Sequence, residues 1–227
     1  MELWKGAPVA ASMKEKSISE IEQLQARGVV PTLGVIRVGQ KDDDLAYERG
    51  IQKRFESVGA KVVIKELPKE VSQKELEKIL VELNEDSNIH GILIFNPLPK
   101  QIDMKALRSL IAPEKDIDCF GWTNLAYVFA NDERAYPPCT AQAVIETLDY
   151  YGVDVTGKKV TVIGRSLVVG RPVAALLMHR NATVTVCHTK TINTPAEAKS
   201  SRVTSVKTLK KASRIREAFL MLTTHFT

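Results

Sequence analysis

The sequence has no apolar run of the roughly 18 residues that a membrane-crossing helix needs, so no bilayer span is expected. Residues 1–11 lack a basic stretch followed by a long apolar one, and no secretory signal is expected. Cysteine is scarce: Cys119, Cys139 and Cys187 are scattered and odd in number, which excludes a disulfide framework and suggests a reducing compartment, the cytoplasm. Histidine is scarce as well. His90, His179, His188 and His225 show no metal-ligand spacing, so no metal site is expected. No segment repeats. Glycine is missing from Thr194 to Thr227, a stretch rich in Lys, Arg, Ser and Thr.

The larger part of the chain also lacks an excess of either charge. The net charge is +5, but residues 190–227 carry eight Lys or Arg against two Glu, so that stretch is +6 and the rest is −1. A basic surface over the folded part is excluded, and with it nucleic-acid binding by that part.

What is present is a normal globular supply: 227 residues, 44% hydrophobic and 26% charged, room for one large domain or two small ones. The organising stretch is Lys158 to Pro172. Val160 to Ile163 is a β-branched run suited to a buried parallel strand, Gly164 ends it, and Gly170 and Pro172 open an apolar helix, Val173 to Met178. Strand, glycine-bearing loop and helix start point backbone N–H groups at a phosphate. The spacing departs from G-x-G-x-x-G, and an ordinary strand-to-helix turn would read the same way.

The remaining pattern alternates strand and helix. Helix is expected from Val9 to Ala26 and strand from Pro31 to Val38; a polar loop, Gly39 to Asp44, leads to helix Leu45 to Val58. Lys61 to Leu67 reads as strand. Ser72 and Glu75 form a capping box for a helix through Leu83. Gly91 to Phe95 is a third strand and Met104 to Ile111 a short helix. Pro113 to Thr140 reads as loop-rich, Ala141 to Tyr150 as helix and Ala182 to Cys187 as strand. Such alternation predicts an α/β fold with parallel sheets covered by helices, and a domain boundary between Thr140 and Thr156.

Several separated segments then converge: Gly91-Ile92-Leu93-Ile94 with Pro97-Leu98-Pro99, Pro113-Glu114-Lys115-Asp116-Ile117-Asp118, Pro138-Cys139-Thr140, Gly164-Arg165-Ser166-x-x-Val169-Gly170-x-Pro172, and Asn181-Ala182-Thr183-Val184-Thr185-x-Cys187-His188. From Leu3 to Asn193 the chain resembles the methylenetetrahydrofolate dehydrogenase/cyclohydrolase family, the bifunctional folate enzymes. The resemblance implies an N-terminal α/β catalytic domain, residues 1–140, and a Rossmann-type nucleotide-binding domain, residues 141–193, with a cleft between them. It also implies an NADP cofactor (NAD possible), a tetrahydrofolate derivative as substrate and a homodimer. The chemistry implied is hydride transfer from methylene-tetrahydrofolate to the nicotinamide, then opening of the methenyl cation by water.

Carried over by position, Asp118 matches the carboxylate that holds the pterin, and Tyr47 the tyrosine that lies against the folate ring. Gly164, Arg165, Ser166, Gly170 and Pro172 match the dinucleotide loop, where a guanidinium and a hydroxyl suit a ribose 2′-phosphate. His188 lies in a family segment but reads as structural. The departures are as informative. The family's Tyr-x-x-x-Lys lysine is Ile51 here, and the glutamine that partners it is Phe95. Lys53 is two helical positions on, turned about 200° away. Asp44 replaces a serine, Cys119 a glycine, and Ala141-Gln142-Ala143 a Pro-x-Gly. Residues 194–227 read as a divergent or out-of-frame basic tail that leaves the nucleotide domain incomplete. Three readings follow: a folate oxidoreductase with a doubtful cyclohydrolase step, a catalytically inactive relative that binds folate, nucleotide or a partner, and a nucleic-acid binder through the basic tail.

Overall fold

The structure is a computed structural model that describes residues 4–201; the basic stretch from residue 202 onward lies outside them. Helix α1 (Gly6–Ala26) leads into strand β1 (Thr32–Val38). Then come α2 (Asp42–Glu56), β2 (Lys61–Leu67), α3 (Gln73–Glu85), β3 (Gly91–Ile94) and α4 (Met104–Leu110). The second half carries α5 (Trp122–Ala130), α6 (Cys139–Tyr150), β4 (Lys159–Ile163), α7 (Gly170–His179), β5 (Thr183–Cys187) and α8 (Thr194–Ser200).

The strands form two parallel sheets. The first has the order β2-β1-β3, with Leu33 opposite Val62 on one side and Gly91 on the other. All seven residues of β1 are buried, as expected for a central strand covered on both faces. Its side chains alternate between two cores. Leu33 and Val35 meet Ile21, Ile51 and Phe55 from α1 and α2. Ile36 and Val38 meet Leu76, Leu80, Leu83 and Leu107 from α3 and α4. Gly34 faces α3, where a Cβ would come within 3.2 Å of Leu83 and Ile89; its bare backbone lets that helix approach. Ser72 accepts a hydrogen bond from the Glu75 N–H at 3.3 Å and starts α3.

The second sheet pairs β4 with β5, Val160 opposite Val184. A third core joins Ile145 and Leu148 of α6, Val160 and Val162 of β4, and Val173 and Leu177 of α7. Trp4 crosses from the chain start to pack against this core and stacks on Tyr151, with ring centroids 5.9 Å apart. The halves also meet where Cys119 and Val128 pack with Ala175 of α7.

Several expectations need correction. The stretch 113–140 is not mainly loop: it holds the short 3-10 turn Pro113–Lys115 and helix α5. Helix Trp122–Ala130 has no capping side chain and spans only nine residues between loops, so no start signal announces it. Helix α2 begins at Asp42, inside the expected polar loop, because three aspartates suit the positive end of a helix. Helix α7 begins at Gly170, three residues early. Thr194–Ser200, assigned from sequence to the tail, is a helix packed on β4, where the Thr161 hydroxyl donates to the Glu197 carbonyl at 3.0 Å.

Candidate functional site

The C-terminal ends of parallel strands are where open α/β sheets bind ligands. At that end of the first sheet, β1 leaves through Gly39, whose N–H bonds the Leu67 carbonyl at 2.8 Å, and β3 leaves through Phe95. Tyr47, on the second turn of α2, sets its ring against Phe95 with centroids 5.0 Å apart and planes tilted 39°. One helical turn on, Ile51 is fully buried. Ile51, Phe95, Ile117 and Cys139 belong to one apolar core, with Tyr47 and Tyr136 packed against it. Ile51 and Phe95, the two positions read from sequence as departures from the family pattern, therefore lie in one apolar core against which Tyr47 packs. Lys53 lies exposed.

Asp118 is half-buried beside this core. It accepts a hydrogen bond from the Cys139 N–H at 3.0 Å, at the start of α6, where the helix dipole favours a carboxylate. The Cys139 thiol donates to the Ile117 carbonyl at 3.3 Å, so the two segments are tied twice. The residue after Asp118 is Cys119, with φ +54°. A glycine takes that backbone conformation without strain, which is the physical reason for one at this point. Burial first, then the charges of Asp116 and Asp118, push the Cys119 thiol far up, so it stays protonated.

Sequence reasoning missed Asp116, which holds this loop in shape. It is buried and accepts hydrogen bonds from the Phe120 and Gly121 N–H groups, both at 2.8 Å, and from the Asn124 amide at 3.2 Å. Burial raises its pKa, against the pull of those donors. Its signal was an acid at i in a Lys-Asp-x-Asp run, two residues before the one assigned a role. Arg37 was missed too, although a lone arginine in an apolar strand was legible. It is 2% exposed and engages Glu48 and Glu66.

The dinucleotide-loop residues gather at the end of the second sheet. Gly164 has φ +126° and donates its N–H to the Cys187 carbonyl at 2.8 Å. A Cβ on Gly170 would lie 2.1 Å from the Gly164 carbonyl oxygen, so strand end and helix start touch backbone to backbone. The Ser166 hydroxyl accepts from the Val169 N–H at 3.2 Å and from the Gly170 N–H at 3.5 Å, which makes it a cap for α7. Pro172 is buried in the first turn. Arg165 is exposed, and the Arg171 guanidinium donates to its carbonyl at 3.1 Å. His188 accepts from the Lys190 N–H and turns the loop after β5. Among the described residues, no group of three His, Cys, Asp or Glu is placed to hold a metal ion, and no helix is long and apolar enough to cross a membrane.

A groove of roughly 700 Å³ lies at the opposite, N-terminal ends of β1 and β2, lined by Thr32, Lys61, Asp86 and His90 among others. It contains none of the residues above.

Residues 4–118 match the tetrahydrofolate dehydrogenase/cyclohydrolase catalytic domain, and residues 138–220 match the NAD(P)-binding domain of the same family. The second match runs past Asn193, so part of the stretch assigned to a tail aligns with the family. The chain is 49% identical over 189 residues to the bifunctional protein FolD of Clostridium kluyveri, covering 83% of this chain and 66% of that one. It is 44% identical over 216 residues to that of Clostridioides difficile, covering 95% and 75%. Among solved structures, the bifunctional FolD of Campylobacter jejuni superposes with a TM-score of 0.85 at 33% identity, over 88% of this chain and 71% of that one. The Trypanosoma brucei dehydrogenase-cyclohydrolase, solved with NADP cofactor and inhibitor, superposes with a TM-score of 0.83 at 36% identity, over 90% and 71%. The chain thus spans about two thirds to three quarters of these relatives' lengths.

Proposed function

Since this chain belongs to the tetrahydrofolate dehydrogenase/cyclohydrolase family, we propose that it is an NADP-linked methylene-tetrahydrofolate dehydrogenase whose cyclohydrolase step is weak or absent. The observation that carries this reading is the burial of Ile51 and Phe95 in one apolar floor beneath Tyr47. Hydride transfer asks mainly for placement of two flat partners. Tyr47 offers an aromatic face for the folate, and Asp118 an acceptor for the amino and ring N–H donors of the pterin. Opening a methenyl cation asks for a group that moves a proton. Neither Ile51 nor Phe95 can do so.

The loop between β4 and α7 fits a dinucleotide. With no side chain at Gly170, the start of α7 packs directly on the Gly164–Arg165 backbone, which brings the helix N-terminus up to the strand end where a pyrophosphate would sit. Gly164, Ser166, Gly170 and Pro172 would shape the pyrophosphate site, and Arg165 would face the ribose 2′-phosphate. Bound there, the dinucleotide would supply the hydride acceptor. Residues 1–140 would hold the folate and residues 141–193 the nucleotide. A cytoplasmic location is supported by three buried cysteines outside any disulfide. A homodimer is carried over from the family reading.

The test is methenyl-tetrahydrofolate hydrolysis measured beside NADP reduction. The unmodified chain should hydrolyse about 10²–10⁴-fold more slowly than a lysine-bearing relative. The double substitution Ile51→Lys, Phe95→Gln should restore hydrolysis, because burial at position 51 would draw an amine toward its neutral, proton-accepting form. Normal hydrolysis by the unmodified chain defeats the reading. Folate and NADP binding without hydride transfer would favour the inactive-relative reading instead.

A further inference from the structure

Arg37 is a cation built into the middle strand of a sheet. Leu33 and Val35 point from β1 toward α2, and Arg37 is next in that row, at the strand's C-terminal end. Its guanidinium joins three elements. Nε donates to Glu48 Oε2 of α2 at 2.6 Å, Nη1 donates to the Gly39 carbonyl in the loop, and Nη2 pairs with Glu66 of β2 at 3.1 Å. Glu66 also accepts from Gln40 of the same loop at 2.7 Å.

A buried pair of this kind is a poor device for stability alone, because apolar residues of the same volume often do as well or better. What a guanidinium fork adds is direction, since its donors are fixed in one plane. Glu48 is the residue after Tyr47. A fork that holds Glu48 sets the rotation of α2 about its axis, and with it the place of the Tyr47 ring over Phe95. The same fork holds the loop after β1, directly through the Gly39 carbonyl and through Glu66 to Gln40.

We propose that Arg37 and Glu48 are positioning residues that set Tyr47 and the loop after β1 for folate binding, an inference that rests on the folate reading above. The test uses the full chain, with tetrahydrofolate and NADP titrated separately and hydride transfer followed at saturation. Glu48→Gln keeps the size and one hydrogen bond but removes the charge. It should raise the Kd and KM for tetrahydrofolate derivatives about tenfold, as loss of a charge-assisted bond would, lower kcat as the folate is less well placed, and leave the Kd for NADP within about twofold. The double variant Arg37→Met, Glu48→Leu should melt no lower than the parent and show the same folate loss, which a merely structural pair would not. Unchanged folate affinity in either folded variant, or a parallel loss of NADP affinity, overturns the proposal. If the double variant does not fold, Glu48→Gln decides by the same split. A parent chain that binds NADP but not tetrahydrofolate overturns the folate reading itself, before any variant is made.

Discussion

Gly170 shows how little room one residue can have. A methyl group there would overlap the Gly164 carbonyl at 2.1 Å, and both neighbours are backbone that no rotamer change can move. Gly170→Ala should therefore cost about 3 kcal/mol, lowering the melting temperature on the order of 10 °C, and abolish NADP binding. Calorimetry and a binding titration check both; an unperturbed melt would mean that the loop can open without cost. Arg165 and Ser166 separate by role. Only a side chain can recognise the extra phosphate of NADP, so Arg165→Ala should weaken NADP more than NAD. Ser166 is occupied as a cap by the Val169 and Gly170 N–H groups, so Ser166→Ala should weaken both cofactors alike and cost about 1 kcal/mol of stability. A selective NADP loss in Ser166→Ala would move that hydroxyl into the phosphate site.

At the scale of elements, β1 decides most of the site. Its position between β2 and β3 places three strand ends together, and its alternation sends Leu33, Val35 and Arg37 toward α2 and Ile36 and Val38 toward α3. His90, just before β3, ties the entrances of β1 and β3. Its N–H donates to the Thr32 carbonyl at 2.9 Å, and its Nδ1 accepts from the Thr32 N–H at 3.2 Å. Nδ1 can accept only when the ring is neutral there. Burial, then the charge of Lys115, hold the His90 pKa below the ordinary 6.5, with Asp86 opposing. The unfolded chain thus binds this proton more readily than the folded one. The stability it contributes is fully present above pH 6.5 and is lost as pH falls through the lower folded value. The melting temperature should decline as pH falls below 6.5, and His90→Asn, which cannot titrate, should flatten that limb. An identical slope in the variant would assign the decline to other groups.

For the whole molecule, the two halves are joined in two places, at the third core and at a smaller cluster beside α7. Trp4 packs into the third core from the chain start, and Val128 of α5 with Cys119 of the preceding loop packs against Ala175 of α7. A domain boundary placed by residue number alone misses this exchange, because Trp4 belongs by packing to the second half. The nucleotide loop and the Tyr47–Phe95 pair sit on different sheets, so any chemistry that joins them depends on these contacts.

The sequence by itself determined the five strands, the α/β alternation, the glycine loop and the family. Each of these is written in short-range pattern: β-branched runs, Ser72 three residues before Glu75, Gly164 and Gly170 flanking one loop. It also marked Ile51 and Phe95 as the positions where the resemblance would place a lysine and a glutamine. Only the tertiary structure decided that these two share one apolar core with Tyr47, that Arg37 spans α2 and β2, that Asp116 shapes the Asp118 loop, and that Trp122–Ala130 is a helix. Those outcomes depend on side chains brought together by strand pairing across long stretches of chain. Helix α5 has no capping side chain to mark its start, so packing against its neighbours, through Val128 and Asn124, sets where it lies.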